Sequence, residues 1–253
     1  MTVLEVKNLS KSFGGVRAVS NVSFSVAAGE LLAMIGPNGA GKTTCFNMVN
    51  GQLAPASGSI DLLGKSLLGK APRDISRSGV GRTFQITAAF GSMSVRENVQ
   101  LALLSRARML GSLLSSMERK FLNETNALLE KVGMLDQAGR QCAELAYGDL
   151  KRVELAMALA SRPCLLLMDE PTAGMAAAER DALMQLTASL ARDAKVAVLF
   201  TEHDMDVVFR HADRVIVLSE GELIAQGTPA EVRADVQVRR VYLGELDTES
   251  NHA

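Results

Sequence analysis

The stretch LLAMIGPNGAGKTT, Leu31 to Thr44, decides how this chain is read. Five apolar residues, Leu31 to Ile35, make a short buried strand, and CFNMVNG, closed by Gly51, reads as a helix. Between them lies the loop Gly36 to Thr44, GPNGAGKTT, with its lysine and threonine at the helix start. Strand, glycine loop and helix in this order are the context that a phosphate-binding loop requires. Gly36, Gly39 and Gly41 let the backbone curl until its N–H groups face inward, and Pro37, Asn38 and Ala40 complete the turn. The helix beginning near Lys42 adds unpaired donors and a positive dipole end. Lys42 is then placed to neutralise β and γ phosphates, Thr43 to ligate Mg²⁺ through its hydroxyl, and Thr44 to add a phosphate contact.

Such a loop needs metal chemistry beside it. Leu165 to Met168 form a second buried apolar strand, and Asp169 and Glu170 follow at its end, where ligands bind in open α/β sheets. Asp169 is suited to hold the water shell of Mg²⁺, and Glu170 to polarise an attacking water as general base. Adjacent residues of a strand point to opposite sides, so a turn at Glu170-Pro171 is needed for both carboxylates to serve one site. The competing reading is an ordinary charged strand end. Upstream, Leu4 to Leu9 and Val22 to Val26 alternate like strands and are expected at a sheet edge.

Gross properties set the frame. A chain of 253 residues suits one large α/β domain, or such a domain with a smaller inserted lobe. Its 27 Lys plus Arg balance 28 Asp plus Glu, so no overall field draws it to nucleic acid or to anionic lipid. Cys45, Cys142 and Cys164 are scattered, odd in number and without metal-ligand spacing, which fits small core residues in a reducing cytosol. No apolar run approaches the roughly 18 residues of a membrane span. The N-terminus MTVLEVKNLS lacks a basic region followed by an apolar one, so the expectation is a chain neither secreted nor membrane-spanning.

The middle of the chain changes character. Ser94 and Glu97 form a capping-box pattern ahead of Val99, Leu101 and Leu104, and helical periodicity runs again from Phe121 to Val132. The segment RARMLGSLLSSMERK between them is basic at both ends and apolar in its middle; a solvated loop with a packed helix is favoured over contact with lipid. LAYGDLKR, Leu145 to Arg152, reads as a turn before a helix whose core face is Leu150, Val153 and Met157. Further on, Asp213 to Ser219 and Leu223 to Ala225 flank the turn in SEGEL as a hairpin, and Thr228, Pro229 and Glu231 make a helix start. The tail after Gly244 is polar.

GPNGAGKTT, the glutamine of GRTFQ, LAYGDLKR, LLLMDEP and TEHDM occur in the order of an ATP-binding-cassette ATPase, which the chain resembles over nearly its whole length. The resemblance implies a P-loop α/β core with an N-terminal antiparallel β subdomain and an inserted α-helical subdomain. In that division residues 1–86 and 161–253 form the catalytic core, and 87–160 the helical subdomain. Phe13, in SKSFGG, resembles the aromatic residue that stacks on adenine, with a core phenylalanine as the alternative. Gln85 resembles the glutamine that touches Mg²⁺ and the attacking water, and His203 the switch histidine that contacts the γ phosphate. LAYGDLKR resembles the signature stretch that caps the ATP held by a partner chain. There Leu145, Gly148, Lys151 and Arg152 match, while Ala146 replaces the serine and Tyr147 and Asp149 also depart. The missing hydroxyl removes a hydrogen bond to a charged group, worth roughly 1.5 to 3 kcal/mol. The family's aspartate is absent at Ala176, which bears on communication between two sites.

GRTFQ, LAYGDLKRVELAMALASRP, TAGM, EHDMDVV and VYLGE are similar to the ATPases of branched-chain amino-acid importers. That resemblance implies ATP and Mg²⁺ as cofactors, a second ATPase subunit (identical or a paralogue), two membrane permeases and an external solute-binding protein. It places the chain at the inner face of the plasma membrane. Two readings from other classes compete. One is a nucleotide-dependent regulatory or assembly switch, motivated by Ala146 and Ala176; the other is a soluble cassette acting on nucleic acid. Balanced charge and the lack of basic, aromatic-interleaved stretches argue against the latter.

Overall fold

The computed structural model describes residues 1–83, 89–107 and 121–241. Strands β1 (Thr2–Phe13) and β2 (Val16–Ala27) form a long antiparallel hairpin turned by Gly14 and Gly15, both in the left-handed region. After β3 (Leu31–Ile35) and α1 (Lys42–Val49), β4 (Ser57–Leu62) returns to pair with β1, and β5 (Lys65–Ser66) closes a four-stranded sheet in the order β2-β1-β4-β5. The expectation of an edge position is therefore corrected for the opening strand. β1 is flanked on both sides, because the chain comes back through β4 to cover it.

Helix α2 (Pro72–Arg77) and β6 (Val80–Thr83) lead into the helical stretch α3 (Val95–Arg106), α4 (Leu122–Lys131) and α5 (Tyr147–Ala160). The Ser94 capping box is formed: the Ser94 hydroxyl accepts from the Glu97 N–H at 3.2 Å, and the Glu97 carboxylate accepts from the Ser94 N–H at 2.7 Å. Hydrogen bonds donated by the Ser94 N–H and by its hydroxyl hold the Glu97 carboxyl below its usual range. The chain then returns through β7 (Leu165–Asp169), α6 (Ala177–Ala194), β8 (Ala197–Thr201), α7 (Met205–His211), the hairpin β9 (Arg214–Ser219) and β10 (Glu222–Gly227), and α8 (Pro229–Ala234), capped by Thr228.

The second sheet runs β10-β9-β3-β8-β7-β6, parallel throughout except for the β9–β10 hairpin. Its central strands are buried on both faces, and successive residues divide between two cores. Leu31, Ala33 and Ile35 of β3 pack with Leu166, Met168, Val198 and Phe200 against the helices α3 to α7. Leu32 and Met34 pack with Leu165, Leu167 and Leu199 against α1 and the antiparallel sheet. Hence LLAMI and LLLM read as unbroken apolar runs rather than alternating ones. Among the described residues no helix is long and apolar enough to cross a membrane. The segment 108–120 and the tail from 242 lie outside the described residues.

Candidate nucleotide site

Three adjacent parallel strands, β3, β8 and β7, end together, with Thr201 in register with both Met34 and Asp169. The residues just past these ends therefore converge: Gly36 begins the glycine loop, Glu170 follows β7, and Glu202 and His203 follow β8. A cleft of about 180 Å³ lies there, lined by the loop from Asn38 to Thr44 together with Ala18, Glu170 and His203. Pockets that enclose a whole ligand run to roughly 300–1,000 Å³. This one suits a phosphate tail, leaving a nucleoside at the surface.

Backbone packing fixes the loop. A Cβ on Gly36 would stand 2.1 Å from the Leu218 carbonyl oxygen, and one on Gly41, at φ +100°, 2.4 Å from the Ala18 carbonyl oxygen. Ala40 is buried, and its carbonyl accepts the Gly221 N–H from the β9–β10 turn at 3.2 Å. Lys42 is buried, with its ammonium donating to the carbonyls of Gly36 at 2.5 Å and Pro37 at 3.0 Å. The cation is thus folded back into the curl of the loop. Thr43 is exposed and Thr44 half-buried at the cleft wall. Behind them, burial pushes the Cys45 thiol up to about 12, which makes it an inert core residue.

A turn follows Asp169, and beyond it Glu170 lines the cleft, which Asp169 itself does not. Asp169 ends β7, with one carboxylate oxygen accepting the Thr201 hydroxyl at 2.7 Å and the other 3.4 Å from the Arg82 guanidinium. Glu170 has φ +47°, a left-handed conformation uncommon for a non-glycine residue and concentrated at functional sites. Its N–H donates to both the carbonyl and the hydroxyl of Thr201, each at 3.1 Å, and its carboxylate lies 2.8 Å from the His203 imidazole. Thr172 continues the lacing: its N–H and hydroxyl donate to one oxygen of the Glu202 carboxylate at 2.9 and 2.7 Å. The other oxygen accepts the His203 N–H at 3.3 Å. Burial pushes the Glu202 carboxyl up, against the hydrogen bonds from Thr172 and His203, and the nearby Glu170 carboxylate adds to the rise.

The oxygen set of Thr43 and Asp169 fits Mg²⁺, which binds through one or two protein oxygens and keeps waters and substrate phosphates for the rest. Among the described residues no group of three or more His, Cys, Asp or Glu forms a separate metal cage. A larger cleft of about 520 Å³ lies between β6, α3 and α5, lined by Arg73, Arg77, Arg82 and Arg106. It contains neither the glycine loop nor Glu170. Gln85 falls outside the described residues.

LAYGDLKR is not part of that cleft. Leu145 is half-buried against the helical core, Ala146 stands in extended backbone as N-cap of α5 without a side-chain cap, and Tyr147 is 41% exposed. Gly148 is buried, and a Cβ there would meet the Glu179 carboxylate at 3.2 Å. Lys151, which the sequence suggests as a basic helix start, is turned inward instead. It is buried 3.0 Å from Glu154, beneath the Tyr147 ring, because an aliphatic stem can pack while the paired charge is satisfied. Ala176 caps α6 through its N–H, which donates to Glu179 at 3.3 Å. Phe13 is 49% exposed with the Lys11 ammonium 5.6 Å from its ring, and so is no core phenylalanine.

Arg82, Thr201, Glu202 and Glu179 are the neighbours of this chemistry that the sequence reading passes over. Arg82 sits in GRTFQ, and the next two in TEHDM with the residue before His203 and its predecessor, motifs read only for their glutamine and histidine.

Comparison with known proteins gives the family. Residues 19–173 match the family model described as ABC transporter, and residues 222–248 match the model of a branched-chain amino acid ATP-binding cassette transporter. The high-affinity branched-chain amino acid transport ATP-binding protein LivG of Salmonella typhimurium is 39% identical over 96% of this chain and 98% of its own. BraF of Pseudomonas aeruginosa, of the same description, is 38% identical over 96% and 98%. The lipopolysaccharide export system ATP-binding protein LptB of Escherichia coli is 37% identical over 97% and 98%. A crystal structure of the ADP conformation of an ATP-binding cassette of an ABC transporter superposes with a TM-score of 0.86 at 29% identity, covering 96% of this chain and 99% of that one. The chain belongs to the ABC transporter family, as an ATP-binding cassette ATPase.

Proposed function

We propose that this chain is the ATP-hydrolysing subunit of an importer for branched-chain or related amino acids. The observation that carries the solute class is the match of residues 222–248 to the branched-chain cassette model. Overall identity does not choose, since an export-system relative at 37% is nearly as similar as the amino-acid transport relatives at 38–39%. In this reading two cassettes, identical or paralogous, pair beneath two permeases at the cytoplasmic face of the plasma membrane, and an external binding protein delivers the solute. Residues 1–86 and 161–253 act as the catalytic core and 87–160 as the helical subdomain.

Each composite site takes the glycine loop from one chain and Leu145 to Gly148 from the other. Gly36 to Gly41 wrap the phosphates with backbone N–H groups, Lys42 neutralises the β and γ phosphates, and Thr44 adds a hydroxyl. Phe13, exposed at the end of β1, supplies the adenine platform. Thr43, Gln85 and Asp169, the last through the ion's water shell, would hold Mg²⁺, which would supply charge neutralisation at the transferring phosphoryl group. Glu170 takes the proton of the attacking water, with Gln85 orienting that water. His203, 2.8 Å from the Glu170 carboxylate, holds the base in place and contacts the γ phosphate. Burying the phosphate tail between two chains excludes the water that would screen these charges.

Glu170→Gln tests the assignment. A positioned general base contributes roughly 10²- to 10⁴-fold, so turnover should fall by about that factor while ATP binding persists; wild-type turnover in this variant contradicts the role. The competing reading, a nucleotide-dependent regulatory switch, is motivated by the alanines Ala146 and Ala176. Hydrolysis by the unmodified chain that disappears in Lys42→Ala eliminates it.

A further inference from the structure

Past the ends of β7 and β8 the two segments remain joined by side chains. Thr201 binds Asp169 and the Glu170 N–H, and Glu202 receives two hydrogen bonds from Thr172 and one from the His203 N–H. Glu202 is 4% exposed, so its three partners are all protein groups and none is readily replaced by water. Its position is also particular. One carboxylate oxygen grips the turn that carries Glu170, and the other grips the backbone of the residue whose imidazole touches Glu170.

We propose that Glu202 is a positioning residue for hydrolysis: it clamps the Glu170–Thr172 turn to the His203 loop, so that base and switch histidine move as one body. The inference rests on the ATPase reading given above. Thr172 opens the loop that runs through Ala173 and Gly174 to Ala176, and Gly174 lies against the Tyr147 ring of the signature segment. Through the same clamp, a shift of His203 is passed to the loop beside that segment. This gives the chain a link between nucleotide and signature where the family's aspartate is replaced by Ala176.

Burial of this carboxylate works against folding. Its proton is bound more tightly in the native chain than in the unfolded one, so stability falls as pH rises through the raised native value. Glu170 is the titratable side chain that faces it, His203 meeting it only through the backbone N–H. Glu202→Gln removes that buried charge, and its Oε1 still accepts from both Thr172 donors; its Nε2 faces the His203 N–H as a second donor, so that one hydrogen bond is lost, and removal of the buried charge offsets the loss. It should therefore melt no lower than the unmodified chain at pH 8 and yet turn over more slowly.

The test is steady-state ATP hydrolysis and ATP-analogue binding for Glu202→Gln, Glu202→Ala and Thr172→Val, with thermal melting of each. Misplacement of catalytic groups by about 1 Å can cost on the order of 100-fold. We expect kcat to fall by about 10- to 100-fold in Glu202→Ala, less in Glu202→Gln and in Thr172→Val, with ATP affinity unchanged within about twofold. Partial rescue by glutamine, in a protein that melts no lower, separates positioning from mere folding support. Full kcat in Glu202→Ala, or Glu202→Gln no better than Glu202→Ala, overturns the clamp. An unmodified chain with no hydrolysis at all overturns the ATPase reading and the clamp with it.

Discussion

At Gly41 a glycine in the left-handed region caps α1, and its carbonyl accepts the Cys45 N–H at 2.9 Å; at Ala146 an alanine in extended backbone caps α5, and its carbonyl accepts the Leu150 N–H at 3.0 Å. Neither residue caps through a side chain, and both helices offer their N-terminal N–H groups to an anion. The surroundings differ. Around Gly41 the neighbours are backbone: the Ala18 carbonyl beside it and the Leu218 carbonyl beside Gly36. Around Gly148 the neighbour is the end of a flexible side chain, the Glu179 carboxylate, and Tyr147 stands in solvent. The first arrangement is held by main chain and is complete within one molecule. The second is held by side chains and faces outward, as half of a site would.

Substitutions can break or sharpen that contrast. Gly41→Ala forces a Cβ into the Ala18 carbonyl at a φ of +100°; strained backbone alone costs roughly 1–3 kcal/mol. The variant should show a lowered melting temperature and lose ATP binding, as read by calorimetry and a fluorescent nucleotide. Ala146→Ser has a smaller effect of opposite sign. A hydroxyl at an N-cap adds about 1 kcal/mol of stability, so the variant should melt higher as a single chain. If it tightens nucleotide-dependent pairing instead, its hydroxyl is committed to the partner's phosphate. Gly148→Ala should change stability least, within about 1 kcal/mol, because the Glu179 carboxylate can swing aside while alanine favours the helix by a similar amount. A Gly148→Ala variant as damaged as Gly41→Ala would show that both turns are held rigidly.

The same contrast explains what the sequence could tell. The glycine loop was legible because its requirements are local: a strand, positive φ at fixed positions, and a lysine at the helix start. The capping boxes at Ser94 and Thr228 were legible for the same reason, each spanning four consecutive residues. Glu170 was legible as a carboxylate that needs a turn to reach the site, but the left-handed backbone that makes the turn was not. Arg82 and Asp169 are far apart in sequence, as are Thr172 and Glu202, and only the parallel register of β6, β7 and β8 brings them together. Lys151 reads as a basic helix start; its partners Glu154 and Tyr147 lie one helical turn to either side and could have been paired from the sequence, whereas its burial comes from packing that the sequence does not show.

The central claim is that LAYGDLKR completes a nucleotide site on another cassette without its serine. Light scattering of Glu170→Gln, which should retain ATP, measures this most directly: mass in solution with and without ATP and Mg²⁺. The account predicts a monomer that becomes a dimer only when nucleotide is present, and a return to monomer when Gly148→Ala or Lys42→Ala is added. A mass unchanged by ATP, in a protein shown to bind it, would contradict the account.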